Sequence, residues 1–354
     1  MRKVIWLLAA GIWMVFSART VFVPSAAHAQ TVIRLTFAGD VTLGSEERVR
    51  PEAYSLDSFA KEYGYDYFFE KARDVFSQDD LTIVNLEGVL SDSSEGENMK
   101  KTYRFRGPTD FVQILTEGSV EMVNLANNHT LDYGERGLSD TKQTLYQAGI
   151  AYFGGWDVSI FEKNGVRLAF FGLSYSDMRR ADREWAAEEI QRLKREENVS
   201  AVIFTFHAGR EYSEARTQDQ QRYAKEIIEA GADLVVMHHP HVVQGMSVFS
   251  QRSVLYSLGN FCFGGNKNVQ AMEALVASVD LTFSDTGEYL GQQVTLLPAH
   301  ISGTAPRSNY QPHFVTGKDA RRVMRLVQAD TRFKLNPVDE QTGQAVQEYL
   351  PAEK

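Results

Sequence analysis

The stretch "LVVMHHPHVVQG", Leu234 to Gly245, joins an apolar run with the pattern of a buried strand to three histidines within four residues. The whole chain has eight histidines, so their gathering where a strand runs out into a loop calls for a physical reason. In an open α/β sheet, ligands collect in the crevice outside the carboxyl ends of the strands. The histidines are therefore read together with what the other strands bring to that edge.

Working outward, four further strand patterns end in polar or metal-capable groups. "VIRLTFAGD" ends in Asp40, "LTIVNLEG" in Asn85 and Glu87, "VEMVNLANNH" in Asn127 to His129, and "AVIFTFHAG" in His207. Helical patterns alternate with them, which is the signature of an α/β domain with layered sheets. "YDYFFEKARDVF" predicts an amphipathic helix, "TDFVQILTEG" a helix capped by Thr109 and stopped by Gly118, and "DQQRYAKEIIEAGAD" a helix with a glycine stop. The stripe Tyr223, Ala224, Ile227 and Ile228 on the last of these is core. "VSIFEKNGVRLAFFGLS" predicts a hairpin that turns at Asn164-Gly165. From Val248 to about Leu297 the pattern is antiparallel, with turns at "SQRS" and "SDTGE", while "SDSSEGENMKK" has the composition of a solvated loop. No linker rich in Pro, Gly or Ser splits residues 31–300, so residues 30–305 read as one domain. The tail, 306–354, is more polar and less periodic; it is set apart as a C-terminal extension that either packs late or frays.

The N-terminus is a separate matter. Arg2 and Lys3, the apolar core "VIWLLAAGIWMVF" and the small-x-small "AHA" before Gln30 make residues 1–29 a signal peptide. Arg19 interrupts any longer apolar run, which favours cleavage, with an uncleaved membrane anchor as the alternative. Either way the expected location is extracytoplasmic. Without residues 1–29 the chain carries 34 basic against 46 acidic side chains, a balance that excludes non-specific binding to nucleic acid or anionic lipid. Cys262 is the only cysteine, so an internal disulfide is excluded as well.

Imidazole nitrogen together with carboxylate oxygen suits zinc, manganese or iron, whereas an all-oxygen set would suit calcium or magnesium. A bridging carboxylate can hold two such ions about 3.5–4 Å apart, where they acidify water and clamp a highly charged transition state. Glu87 is the candidate bridge. In "ANNHTLDYG", Asn128 can ligate through its amide oxygen, which leaves His129 as a general acid or phosphate contact with Asp132 placed to orient its other ring nitrogen. His238 alternates away from His239 and reads as a supporting residue. Asp40 and Asn85 also admit a plain turn reading.

Six segments, "FAGDVTLG", "VNLEGVL", "LANNHTLDYG", "FTFHAGREY", "HHPHVVQG" and "YSLGNFCFG", occur in the order and rough spacing of the CapA family of poly-γ-glutamate capsule synthesis proteins. The chain resembles that family across about residues 32–265. The family is similar in fold to calcineurin-like metallophosphoesterases, so the resemblance implies a β-sandwich flanked by helices, with four layers, α/β/β/α. It also implies metal ligation by Asp40, Glu87, Asn128, His207, His239 and His241. The broader pattern begins Asp-x-His, but Thr42 stands two residues beyond Asp40. One site, of Glu87, Asn128, His207 and His239, is then well furnished, and the other, of Asp40, Glu87 and His241, is poorer. Ser257 and Asn260 border the site as substrate contacts, and Arg106 and Arg210, the latter beside Glu211 and Tyr212, are candidate anion clamps.

The implied function is an extracytoplasmic protein, dependent on one or two divalent ions, that acts in making, exporting or processing poly-γ-glutamate or a related anionic envelope polymer. A hydrolytic member would cut a phosphoester or a γ-glutamyl amide. The alternatives are a non-catalytic polymer-binding scaffold of a membrane synthase complex and a secreted metallophosphoesterase unrelated to capsule.

Overall fold

The computed structural model describes residues 30–175, 180–265 and 268–353; the signal segment read at 1–29 lies outside the described residues. Among the described residues, strands form a ten-stranded mixed sheet and a six-stranded sheet. In the larger sheet Thr31–Thr42 pairs in parallel with Leu81–Leu86, which pairs with Met122–Asn124 and then Ala151–Phe153. The long antiparallel pair Glu273–Phe283 and Tyr289–His300 continues the sheet on the other side of Thr31–Thr42. In the smaller sheet Val166–Ser174, Ala201–His207, Leu234–His238 and Arg252–Leu255 run parallel.

The sheets stack because their strands alternate. Ile33, Leu35 and Phe37 from one sheet and Leu168, Phe170, Ile203, Leu234 and Val236 from the other are fully buried in a common inner core. The alternate residues of each sheet face helices. Val84, Leu86 and Val123 pack with Leu56, Ile114, Leu115 and Leu145 on one outer face. Phe171, Val202, Phe204 and Val235 pack with Ala186, Ile190, Ala224 and Ile227 on the other. The result is the expected α/β/β/α order of layers. The helix Gln218–Ala230 begins with a complete capping box of Thr217 and Gln220 and ends at Gly231 in the left-handed conformation. Asn164 and Gly165 both have positive φ, 52° and 77°, as a tight two-residue hairpin turn requires.

Four local expectations change. Within the stretch read as antiparallel, Arg252–Leu255 pairs in parallel with Leu234–His238 and Asn260–Phe263 in parallel with Thr31–Thr42, because the chain crosses from one sheet to the other there. "YDYFFEKARDVF" is mostly turns, with helix only at Arg73–Phe76, and the longer helix lies just before it at Leu56–Tyr63. Phe68 and Phe69 are both buried and Tyr67 stacks on Tyr63, so consecutive rings seek partners on different sides, which one helical stripe cannot offer. Thr109 opens a 3-10 turn rather than capping a helix, and its hydroxyl donates to Asp92. "VEMVNLANNH" is a strand only at Met122–Asn124 and then leaves the sheet, which frees Asn127 to His129 for the site. The residues after Ala305 pack: helix Gly317–Ala329 buries Ala320, Val323, Met324 and Val327, and short strands at 313–314, 345–346 and 350–351 pair with Tyr289–His300.

Candidate metal centre

The carboxyl ends of the two sets of parallel strands meet, and the polar strand-end residues meet with them. On the larger sheet, Thr31–Thr42 changes register between Phe37 and Asp40 and so turns Asp40 inward beside Asn85 and Asn260. Gly39 makes this possible, because a Cβ there would lie 2.0 Å from the carbonyl oxygen of Gly259. On the smaller sheet, His207 and His238 are register partners. Beyond His238 the chain turns through two non-glycine residues with positive φ, His239 at 102° and His241 at 58°. Such backbone costs about 1–3 kcal/mol per residue and persists where surrounding structure demands it. Here it aims two imidazoles into the same space.

Four ligand-type atoms converge at the inner end. His207 Nε2 lies 2.8 Å from Asn128 Oδ1, 3.1 Å from His239 Nδ1 and 3.6 Å from Glu87 Oε1. Ligands bound about 2.0–2.2 Å from one ion stand roughly 3–3.5 Å apart, so these atoms have the spacing of a common ligand shell. A second group shares Glu87. His241 Nδ1 lies 3.1 Å from Asp40 Oδ2 and 3.8 Å from Glu87 Oε2. His241 Nδ1 has its hydrogen-bond partner in Asn260 Oδ1, at 2.9 Å, which leaves Asp40 Oδ2 without one.

The fit to a cation rests on orphaned oxygens. Among the described residues, both buried carboxylate oxygens of Glu87 are without a hydrogen-bond partner, as is Asp40 Oδ2. Burying a carboxylate unpaired is costly, whereas a dication between the two groups would neutralise both. The protonation balance shows what a cation would displace, namely a proton on Glu87 and one on His241. Burial, reinforced by Asp40, Asp132 and Glu211, pushes the Glu87 carboxyl up to about 8 against the pull of His241. Burial also works to raise Asp40, but the close imidazoles of His241, His238 and His207 hold it well below the usual carboxylate range. Burial works to lower His241, but Glu87 and Asp40 together lift it. Burial drives His207, His239, His238 and His129 downward, which keeps these imidazoles neutral near pH 7, as ligation requires.

Beside the inner group stands a His129–Asp132 pair. His129 Nδ1 is 2.6 Å from Asp132 Oδ2, and its Nε2 faces Glu87 Oε1 at 3.8 Å. Asp132 is fully buried, accepts from the backbone N–H of Phe105 and is ion-paired to Lys101. Lys101 also donates to the Asn128 carbonyl, and the Phe105 ring lies 4.4 Å from the His129 ring. Lys101 and Phe105 were not singled out from the sequence. Lys101 comes from the end of the polar stretch read as a solvated loop, and nothing in its local pattern marks it. Asn85 is not a turn residue: it sits inside Leu81–Leu86, donates to Asp40 Oδ1 at 2.8 Å, accepts from Asn124 and Asn127, and lies 3.3 Å from His207 Nδ1. It is the amide that locks four strands' polar ends into one arrangement.

The remaining expected contacts divide. Arg106 is buried, paired with Glu47 and bonded to the Ser91 carbonyl, an arrangement that ties down a loop. Ser257 is buried and accepts from the N–H of Gly259, and Asn260 is buried against His241; both hold the site's frame from behind. Arg210, Glu211 and Tyr212 are exposed on the rim. His238 Nδ1 lies 3.5 Å from Asp40 Oδ1, in the supporting place expected of it. Thr42 is buried, and its hydroxyl has no hydrogen-bond partner among the described residues.

Residues 34–265 match the family described as "Bacterial capsule synthesis protein PGA_cap". The chain belongs to that family. The matched span holds every group of the centre from Asp40 to Asn260. The chain is 26% identical over 349 residues to "Capsule biosynthesis protein CapA" of Bacillus anthracis, covering 92% of this chain and 79% of that protein. It is 26% identical over 299 residues to "PGA biosynthesis protein CapA" of Bacillus subtilis (strain 168), covering 79% and 75%. A "Probable polyglutamine synthesis accessory protein" of Mycobacterium tuberculosis (strain CDC 1551 / Oshkosh) is 23% identical over 293 residues, covering 73% and 72%.

Proposed function

We propose that this PGA_cap family member is an extracytoplasmic, metal-dependent protein that acts in the synthesis, export or processing of poly-γ-glutamate or a related anionic envelope polymer. The observation that carries the metal-dependent part is the buried, unpartnered carboxylate of Glu87 between His207 and His241. The names of the relatives support the polymer.

Glu87, Asn128, His207 and His239 would hold one ion, and Asp40, Glu87 and His241 a second, with zinc, manganese or iron suited to the mixed nitrogen and oxygen donors. A divalent ion bound there supplies Lewis acidity toward water and toward the scissile group. The chain's own residues do the rest. Asp132 fixes the His129 ring as the neutral Nδ1–H tautomer and leaves Nε2 directed at the site, where it takes a proton from the attacking water and passes it to the leaving group of a phosphoester or γ-glutamyl amide. Lys101 holds Asp132 in place, and Phe105 covers one side of the imidazole against water. A cleft of about 640 Å³, lined by Lys101, Asn128, Leu131 and Trp156, opens beside the ligand shell and gives room for a segment of polymer.

Elemental analysis of the purified chain, with parallel assays on an aryl phosphate and on poly-γ-glutamate, tests the reading. About one or two transition-metal ions per chain, lost in His239→Ala together with one of the two activities, is the expected result and selects the bond. A chain that takes up no ion from zinc, manganese or iron overturns the metal-dependent reading and leaves a polymer-binding scaffold, which the substitution of Thr42 for a ligand already favours.

A further inference from the structure

Glu211 lies on the rim, in the segment after the strand Ala201–His207. The backbone there is held against the histidine turn: Tyr212 has φ of 57° and its N–H donates to the Pro240 carbonyl at 2.8 Å. Gly209, at φ of 133°, packs so closely that a Cβ would meet both the Gln220 side chain and Pro240 at about 3 Å. The rim segment and the turn His239–His241 are thus one rigid piece. Within it, a carboxylate oxygen of Glu211 and ring nitrogens of His239 and His241 all lie within 4.8 Å of one another. His239 also belongs to the inner ligand group, and His241 to the Asp40 group. Glu211 therefore stands beside the two histidines that connect the groups, on the solvent side.

We infer that Glu211 is a metal ligand, which with His241 closes the poorer ion position from the solvent side and takes the place of the ligand that Thr42 does not provide. Two features beyond proximity argue for it. The histidine pair is held in left-handed backbone, a strained arrangement that presents both rings toward the rim as well as toward Glu87. In addition, the well-furnished inner group already has four donors, Glu87, Asn128, His207 and His239, while the group of Asp40, Glu87 and His241 has three, so a further donor meets a need on that side only. A hard carboxylate on the exposed side would also let the outer ion bind and leave without opening the core. This inference rests on the metal-dependent reading above.

The test is calorimetric titration of the metal-stripped full chain with Mn²⁺ alone, comparing wild type with Glu211→Gln, Glu211→Asp and His207→Ala. Gln keeps the size of an exposed side chain, so folding is not at stake, and Asp keeps the charge at shorter reach. The expected result is that Glu211→Gln weakens the lower-affinity ion by about tenfold or more while the tighter ion is unchanged, with Glu211→Asp between it and wild type. Glu211→Gln that binds both ions like wild type, while His207→Ala loses the tight one, overturns the role of Glu211 and leaves the metal centre standing. Wild type that binds no Mn²⁺ overturns both.

Discussion

The two candidate ion positions share Glu87 yet are built differently. The inner group takes its donors from both sheets, with Glu87 and Asn128 from one and His207 and His239 from the other, and the other three atoms lie 2.8–3.6 Å from His207 Nε2. The group of Asp40, Glu87 and His241 has fewer donors and a wider gap, 3.8 Å between His241 and Glu87. His241 Nδ1 has a hydrogen bond to Asn260, a residue outside both groups, whereas His207 Nε2 is at hydrogen-bond distance from Asn128 and His239, two members of its own group. A ligand shell drawn from two sheets is as rigid as the sandwich that holds them. The second group draws on the same two sheets and the same turn but with three donors, so it is expected to be looser and to exchange its ion more readily.

The largest effect should come from the shared residue. Glu87→Gln removes the bridge, so metal affinity should fall by more than about 100-fold at both positions, and the rise in melting temperature that metal gives wild type should vanish. In the metal-stripped state the same variant should melt no lower than wild type, because it relieves a buried carboxyl that has no partner. A variant that keeps two ions would show the positions to be independent.

The next effect separates them. His207→Ala should lose the tightly held ion, while His241→Ala should keep it and lose the looser one, as read by elemental analysis after dialysis. Equal losses in the two variants would mean a single shared position. The smallest effect on metal is expected at the neighbouring wall. Asp132→Asn should leave ion content unchanged, yet cost about 1–3 kcal/mol in urea unfolding, because the buried carboxylate receives the Phe105 N–H and pairs with Lys101. Loss of metal in this variant would place the His129–Asp132 pair inside the ligand shell instead of beside it.

How much of this was legible varied with the range of the forces involved. The helix Leu56–Tyr63 was missed although its signals are local: Ser55 caps it, Asp57 and Lys61 suit its ends, and Gly64 stops it. The aromatic run after it carried the stronger amphipathic pattern and drew the helix assignment away. Helix Gly317–Ala329 was likewise hidden within a polar tail, although Ala320, Val323, Met324 and Val327 have the spacing of a buried stripe. Arg106 illustrates the opposite limit, since an arginine near a glycine and a proline looks the same in sequence whether it meets a ligand or Glu47.

The sequence by itself determined the alternation of strands and helices, the hairpin at Asn164-Gly165, the helix stop at Gly231 and the set of strand-end groups. These depend on period, turn chemistry and residue type, which act within a few positions along the chain. Only the tertiary structure decided that Asn85 joins Asp40 to His207, that Lys101 reaches Asp132 from a distant loop, that Asn260 orients His241, and that Glu211 faces two histidines on the outside. Those contacts are set by how two sheets pack and where their loops land, and a distance between residues far apart in the chain has no local signature.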